Sequence, residues 1–139
     1  MARTVGEVMT VAPSTVEKDA AARDAARAMR DADVGALLVL DEGDLYGIVT
    51  DRDIAIRVVA EGKDASSTTV AETCSADPTA VDSDESVDEA VRLMREHALR
   101  RLPVKEGGQP VGIVSLGDLA VERDPESALA EISSTDPNR

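Results

Sequence analysis

Several residue types are almost missing from this chain of 139 residues. It contains one cysteine, Cys74, one histidine, His97, and one aromatic side chain, Tyr46. A single cysteine excludes an internal disulfide framework, and with a single histidine it cannot supply the usual four ligands of a zinc site. We therefore predict no metal site and interpret both residues as structural.

Lysine is also scarce. The chain has twelve arginines and three lysines against 28 acidic residues, which gives a formal net charge of −13. We do not expect general nucleic-acid binding, because a phosphate backbone is held by clustered basic residues. Such a composition is similar to that of proteins from salt-loving organisms, and we hypothesise that the acidic surface maintains solubility at high salt. A melting curve that is equally stable without salt would contradict this hypothesis.

Long apolar runs are missing as well. The sequence has no run of 18 apolar residues and no basic and apolar leader, which are the patterns of a membrane span and a signal peptide. We therefore expect a soluble, cytoplasmic protein without a membrane partner.

The chain does contain one motif written twice, GIVTDRDI at 47–54 and GIVSLGDL at 112–119. Each copy has a glycine, two β-branched apolar residues, a hydroxyl residue and, three positions later, an aspartate. This order predicts a buried strand that ends in a turn into a helix.

The hydroxyl residues of the motif are Thr50 and Ser115, and the aspartates are Asp53 and Asp118. At a helix start the backbone N–H groups are unpaired and favour an anion, while a carboxylate one turn later accepts two hydrogen bonds at once. A ligand with a phosphate and a vicinal diol would suit this arrangement. Alternatively, the hydroxyl residues are N-caps and the aspartates balance the helix dipole.

The motif belongs to a longer repeat, because 5–55 aligns with the second half of the chain at a constant offset of 65 residues. Each copy predicts the order extended segment, helix, strand, turn, strand, helix. We predict one unit at 1–63, a second at 64–124 and a partly disordered tail at 125–139. The stretch 60–69 is interpreted as a surface linker.

The elements of each copy follow from local patterns. Ser86 with Glu89 predicts a capping box before the second copy's first helix, and the two hydroxyl-to-aspartate motifs predict the last helices. The predicted buried helix faces are Ala22, Ala25, Ala26 and Met29 in the first copy, and Val87, Ala90, Val91 and Met94 in the second. The predicted strands are 36–40, 46–49, 102–104 and 111–114, with hairpin turns at 41–44 and 106–109.

With these residues in place, the chain resembles a tandem pair of cystathionine-β-synthase (CBS) domains, the Bateman module. The resemblance is carried by the two motifs, by the segments VGEVMT and VAETCS, and by HALRRLPV before the second copy's first strand. It implies an α+β fold of two βαββα units packed sheet to sheet with pseudo-twofold symmetry. It also implies clefts between the units that bind adenosine-containing ligands, and pairing of two chains into a homodimeric disc.

The resemblance also implies roles for single residues. In the cleft of the second motif, Asp118 takes the ribose hydroxyls, Ser115 lies near the phosphate, and Arg100 and Arg101 supply basic contacts. An acidic protein draws an anion to such an adjacent pair. Only one of two neighbouring side chains on a strand can face the cleft, however, and the other can pair with a surface carboxylate.

In the cleft of the first motif, Asp53 and Thr50 would do the same work with Arg52 as the nearby cation. The sequence departs from the pattern here, because Gly35 and Ala36 occupy the positions of the two arginines. We therefore rank the second cleft above the first for phosphate binding.

Three further positions are candidates by the same resemblance. Thr10 and its counterpart Ser75 end the two segments that precede the repeats' first strands, and a plain turn role is the alternative for each. Pro103 lines either the adenine slot or only the core.

The function implied is a stand-alone regulatory protein that binds AMP, ADP, ATP or S-adenosylmethionine and requires no cofactor. The alternative is a ligand-independent interaction or scaffold protein of the same fold. We do not expect an enzyme, because no nucleophile is placed with a base. A small metal-dependent enzyme built on the acidic clusters is the third and least supported reading.

Overall fold

The computed structural model describes residues 3–11 and 14–123, with side chains as far as Ala120. The predicted tail lies outside the described residues. The elements are, in chain order, α1 (Val5–Val8), β1 (Thr10–Val11), β2 (Thr15–Glu17), α2 (Ala22–Ala32), β3 (Ala36–Asp41), β4 (Asp44–Thr50), α3 (Asp51–Ile54) with a π-helical continuation (Ala55–Val59), α4 (Val70–Thr73), β5 (Ser75–Ala76), β6 (Val81–Asp82), α5 (Val87–His97), β7 (Arg101–Glu106), β8 (Gln109–Ser115) and α6 (Leu116–Arg123). The predicted α+β class is confirmed.

The chain forms two compact units, which we name the central unit (Ala12–Pro78) and the split unit (Met1–Val11 with Thr79–Arg139). These units are not the same segments as the repeats predicted at 1–63 and 64–124. The difference arises because β1, from the first repeat, pairs with β8, and β5, from the second repeat, pairs with β4. Each unit therefore completes its sheet with a strand of the other repeat.

Each unit contains one four-stranded sheet. The strand order is β2-β3-β4-β5 in the central unit and β6-β7-β8-β1 in the split unit. The first pair in each order is parallel and the other two pairs are antiparallel. Both sheets therefore have the same topology, as duplication requires.

The central strands of each sheet are joined by a tight hairpin. Glu42 and Gly43 have φ of 52° and 91°, and Gly107 and Gly108 have φ of 58° and 83°. Positive φ at both central positions is the geometry of a two-residue turn that matches the twist of a hairpin. The two predicted hairpins are confirmed.

The hydrophobic core of each unit lies between one face of its sheet and its longest helix. Alternate strand residues supply the sheet side, and residues spaced by three or four supply the helix side. In the central unit these residues are Leu37, Val39, Val49, Ala25 and Met29, and in the split unit they are Leu102, Val104, Val114, Ala90 and Met94. Burying each leucine contributes about 1.5–3 kcal/mol.

One predicted core residue is wrong, because Ala26 is exposed. The buried stripe of α2 consists of Ala22, Ala25 and Met29. Ala26 lies about 100° around the helix from Ala25, outside that narrow stripe. In α5, Val91 is only partly buried against the core.

The two long helices begin differently. In α5, the Ser86 hydroxyl accepts the Glu89 N–H at 3.1 Å, which confirms the predicted N-cap. The reciprocal half of the box is not formed, because the Glu89 carboxylate accepts hydrogen bonds from Arg92. Competition from a charged donor one turn away explains the correction.

The N-cap position of α2 is Ala21, which has no side chain that can cap. Its first N–H groups donate instead to the linker, from Ala22 to Thr68 O at 2.8 Å and from Arg23 to Ala65 O at 3.0 Å. The predicted linker therefore supplies the caps that the sequence lacks.

We predicted that the segments before β1 and β5 are extended, and this prediction is wrong for most of each segment. Their first four residues form the short helices α1 and α4. Glu7 accepts the Thr4 N–H at 3.1 Å, and Glu72 accepts the Thr69 N–H at 3.0 Å. The Thr-x-x-Glu spacing of a capping box was visible in both copies and predicts these turns.

Candidate ligand-binding site

The repeated motif builds the same hydrogen-bonded turn in both units. In the central unit, Thr50 N–H donates to Asp53 Oδ2 at 2.9 Å, and Asp53 N–H donates to Thr50 Oγ1 at 3.1 Å. In the split unit, Ser115 N–H donates to Asp118 Oδ2 at 2.9 Å, and Asp118 N–H donates to Ser115 Oγ at 3.0 Å. The N-cap interpretation is therefore correct for both hydroxyl residues.

These side chains have hydrogen-bonding groups that the capping bonds do not use. Each hydroxyl accepts one bond and retains its own hydrogen to donate, and each capping bond uses Oδ2 alone. Among the described residues, none donates a hydrogen bond to Asp118 Oδ1. A carboxylate oxygen can accept two hydrogen bonds, so both turns keep capacity for a ligand.

The glycine of each motif permits a close approach of the neighbouring edge strand. A Cβ on Gly112 would lie 2.6 Å from Thr10 O and 2.9 Å from Met9 Sδ. A Cβ on Gly47 would collide with Ser75 O in the same way. Only glycine lets β1 and β5 lie this close to the strands that carry the motif.

That approach brings the predicted Thr10 and Ser75 beside the motif. Thr10 pairs with Ile113 of β8, and Ser75 pairs with Ile48 of β4. Both side chains are exposed. Because each partner lies two residues before the hydroxyl residue, Thr10 and Ser115 share one sheet face.

The two predicted arginines have different positions. Arg101 is directly opposite Ser115 in the β7–β8 ladder, so their Cβ atoms lie about 4.5–5.5 Å apart on the same face. Arg100 precedes β7, and its carbonyl accepts the Leu116 N–H at 2.8 Å. Register therefore separates the pair, and Arg101 is the arginine on the face of the motif's hydroxyl.

The same register places Pro103 opposite Ile113. Pro103 thus lies on the sheet face that carries Thr10 and Arg101, opposite the face that packs on α5. It is fully buried. Full burial favours the core alternative for Pro103 over a place in the lining of an adenine slot.

In the central unit no cation lies opposite the hydroxyl residue of the motif. Ala36 lies opposite Thr50, which is the place that Arg101 takes opposite Ser115. Gly35 precedes it, and its carbonyl accepts the Asp51 N–H at 3.0 Å. Arg52 is exposed on the first turn of α3.

The two aspartates differ in their electrostatic surroundings. Burial raises the pKa of the Asp118 carboxyl above its ordinary value, and hydrogen bonds with Ser115 offset only part of the shift. Asp53 Oδ1 lies 3.9 Å from Arg57 Nη1. Among the described residues, no side chain forms an ion pair with Asp118.

Sequence reasoning did not identify Arg57 as a residue of the site. Its Nη1 donates to Thr73 O at 2.8 Å and to Cys74 O at 3.1 Å, just before Ser75. An arginine four residues after the aspartate was the available signal. Cys74 itself is buried, and burial raises its thiol pKa, which fits a structural role.

Within 3–11 and 14–123, no group of three or more histidine, cysteine, aspartate or glutamate residues is arranged to hold a metal ion. No helix in the same part of the chain is both long enough and apolar enough to cross a membrane. The polar groups that converge at each motif are hydroxyls, one carboxylate and an arginine, which lies opposite Ser115 in the split unit and beside Asp53 in the central unit.

Two repeated βαββα-type units, each with a capped hydroxyl-to-aspartate turn beside a glycine-dependent edge strand, define a tandem-repeat protein. The family model described as the CBS domain matches twice, at 5–60 and 70–123. The chain belongs to the CBS-domain family, and the resemblance noted in the sequence is confirmed.

Individual proteins support this assignment. The CBS domain-containing protein YhcV of Bacillus subtilis is 40% identical over 133 residues, which cover 93% of this chain and 94% of YhcV. A hexameric CBS-CP12 protein from bloom-forming cyanobacteria has a TM-score of 0.80 at 31% identity, and the match covers 94% of this chain and 80% of that one. CBSX2 in complex with AMP has a TM-score of 0.70 at 25% identity, covering 86% and 94%. The chain is thus a CBS-pair protein of the regulatory kind.

Proposed function

We propose that this protein binds an adenosine-containing ligand, such as AMP, ADP, ATP or S-adenosylmethionine, and acts as a sensor of it. The observation that carries the proposal is the convergence in the split unit. Thr10, Arg101 and Ser115 share one sheet face, and Asp118 in the first turn of α6 accepts the Ser115 N–H.

The chemistry of these groups is complementary to a nucleotide. The Asp118 carboxylate accepts the two ribose hydroxyls, because its Oδ1 takes no hydrogen bond from the described residues. The Ser115 hydroxyl and the Arg101 guanidinium lie on one side and donate to a phosphate.

A related structure supports the ligand class. CBSX2 has been solved in complex with AMP, and it shares the fold and a quarter of the aligned residues. The proposal assigns no catalytic step to the chain. A bound ligand would act by favouring one conformation of the protein, and only to the extent that it binds that conformation better.

A thermal-shift titration tests the proposal. Purified protein is melted in high salt with AMP, ADP, ATP, S-adenosylmethionine, NAD or cyclic di-AMP. A ligand at 100 times its dissociation constant should add about 2.7 kcal/mol per site, or on the order of ten degrees for this length. A cooperative melt without a shift for any compound would contradict the proposal and favour the ligand-independent scaffold.

We also propose that two chains form a homodimer. Ile56 and Val59, on the π-helical continuation of α3, are 48% and 70% exposed. Two large apolar side chains exposed one turn apart are typical of a surface that another chain covers. Light scattering should give twice the mass of the chain, and Val59→Asp should reduce it to the monomer value. A monomeric unsubstituted protein would contradict this assignment.

A further inference from the structure

The sheet register places a cation beside the hydroxyl in only one of the two copies of the motif. Arg101 lies across from Ser115, whereas Ala36 lies across from Thr50. These are equivalent positions, because each pair is the one farthest from the turn of its hairpin and directly precedes a helix. A guanidinium is therefore next to the hydroxyl in one unit and a methyl group in the other.

The carboxylates show the reverse pattern. Arg57 lies 3.9 Å from Asp53 and is tethered through Nη1 to Thr73 O and Cys74 O. The equivalent position in the second repeat is Glu122 in the sequence, and a carboxylate cannot donate to carbonyls or pair with Asp118. In the central unit the cation thus serves the aspartate.

The tether decides what Arg57 can do. Both hydrogens of Arg57 Nη1 are used by the carbonyls of Thr73 and Cys74, which fixes the guanidinium beside Asp53. Arg57 is therefore a positioning residue. It holds the segment before Ser75 against Asp53.

The cation lies beside the hydroxyl in the split unit and beside the aspartate in the central unit. From this difference we propose that the two units select different ligands. The split unit binds a nucleoside phosphate and depends on the phosphate, whereas the central unit binds the uncharged ribose part of a nucleoside and is indifferent to the phosphate. The inference rests on the proposed adenosine-binding function and assigns a ligand class to each copy. Arg101 and Ala36 are its specificity-determining residues.

The measurable quantity is the ratio of the dissociation constants for adenosine and AMP, obtained by calorimetry. The Asp53→Ala protein isolates the split unit and should give a ratio of about ten to a hundred, because a charge-assisted bond to phosphate is lost with adenosine. The Asp118→Ala protein isolates the central unit and should give a ratio within about threefold of one.

Exchanging the two specificity residues sharpens the test. Ala36→Arg in the Asp118→Ala protein should raise the ratio to about ten, and Arg101→Ala in the Asp53→Ala protein should bring it close to one. Ala36→Lys replaces Ala36→Arg if the latter does not fold, as judged by circular dichroism. Arg27→Gln, an exposed charge removal on α2, should change neither ratio.

Two results would overturn the inference while leaving the proposed function intact. One is an equal ratio in the two single-aspartate proteins. The other is a large ratio in the Asp118→Ala protein that Arg52→Gln abolishes, since Arg52 would then be the phosphate cation of the central unit. If the unsubstituted protein binds neither adenosine nor AMP, the proposed function fails and this inference fails with it.

Discussion

Asp53 and Asp118 occupy the same turn in two copies of one motif, but their electrostatic surroundings differ. Their capping bonds agree closely, at 2.9 and 3.1 Å in the central unit and 2.9 and 3.0 Å in the split unit. Yet one carboxylate faces the tethered Arg57, while burial raises the pKa of the other. Backbone geometry has been retained between the copies, and the charges around it have not.

This contrast shows which parts of the motif are structural and which are free to specialise. The hydroxyl and the aspartate close a turn that each unit needs for its fold, so both copies keep them. The cations are not part of that turn, since Arg101 lies on β7 and Arg57 donates to the carbonyls before Ser75. Charge is therefore the variable that distinguishes one site from the other.

The shared geometry is tested most strongly at the glycines. Gly112→Ala would place a Cβ 2.6 Å from Thr10 O, and Gly47→Ala would meet Ser75 O. Both contacts are with backbone, which cannot rotate away, so each change should lower the free energy of unfolding by about 3 kcal/mol. Urea denaturation measures this loss. A stability unchanged in either variant would show that this edge strand does not need the close approach.

The difference between the copies is tested by removing each aspartate. Asp118→Ala should weaken AMP binding by about tenfold to a hundredfold, because two hydrogen bonds from ribose to a carboxylate are lost at the site that also has Arg101. Asp53→Ala should weaken it less than about threefold. Calorimetry with AMP measures both, and Asp118→Asn is the control that retains the shape. Equal losses, or a larger loss at Asp53, would reverse the ranking of the two sites.

The burial of Asp118 predicts that both stability and ligand affinity depend on pH. Burial raises the folded pKa of this carboxyl above its ordinary value, so the protein loses stability as the pH rises through the interval between the ordinary and the raised pKa. Ribose hydroxyls donate to the ionised form, and affinity should therefore increase with pH over the same interval and then level off.

Adenosine is the suitable probe for this measurement, because a phosphate group itself titrates near pH 6. Titrations of the Asp53→Ala protein from about pH 4 to 8 should show the rise, and the additional change Asp118→Asn should abolish it. A profile that is flat in both proteins would show that Asp118 does not contact the ribose.

Much of this arrangement could be predicted from the sequence. The offset of 65 residues located the repeat, and the motif spacing located Thr50, Asp53, Ser115 and Asp118 on their turns. Local patterns such as these specify a turn because all the groups that make it lie within a few residues. Thr-x-x-Glu at Thr4 and Thr69 is equally local, and only its significance was missed.

The rest depends on pairings that no local pattern contains. Exchange of β1 and β5 between the repeats is set by which edge strand reaches Gly112 and Gly47. Whether Arg100 or Arg101 faces the hydroxyl is set by the register of β7 on β8, because a shift of one residue reverses the faces. Arg57 bonds carbonyls 16 and 17 residues away.

The smallest expected difference between the copies is at the starts of the long helices. Ser86→Ala should lower the free energy of unfolding by about 1 kcal/mol, because the Glu89 N–H loses its acceptor at 3.1 Å. The converse change, Ala21→Ser, should add only a few tenths of a kcal/mol, since linker carbonyls already accept from Ala22 and Arg23. Urea denaturation of both variants measures these changes. A gain at Ala21 as large as the loss at Ser86 would show that the linker does not act as a cap and that the two helix starts are energetically alike.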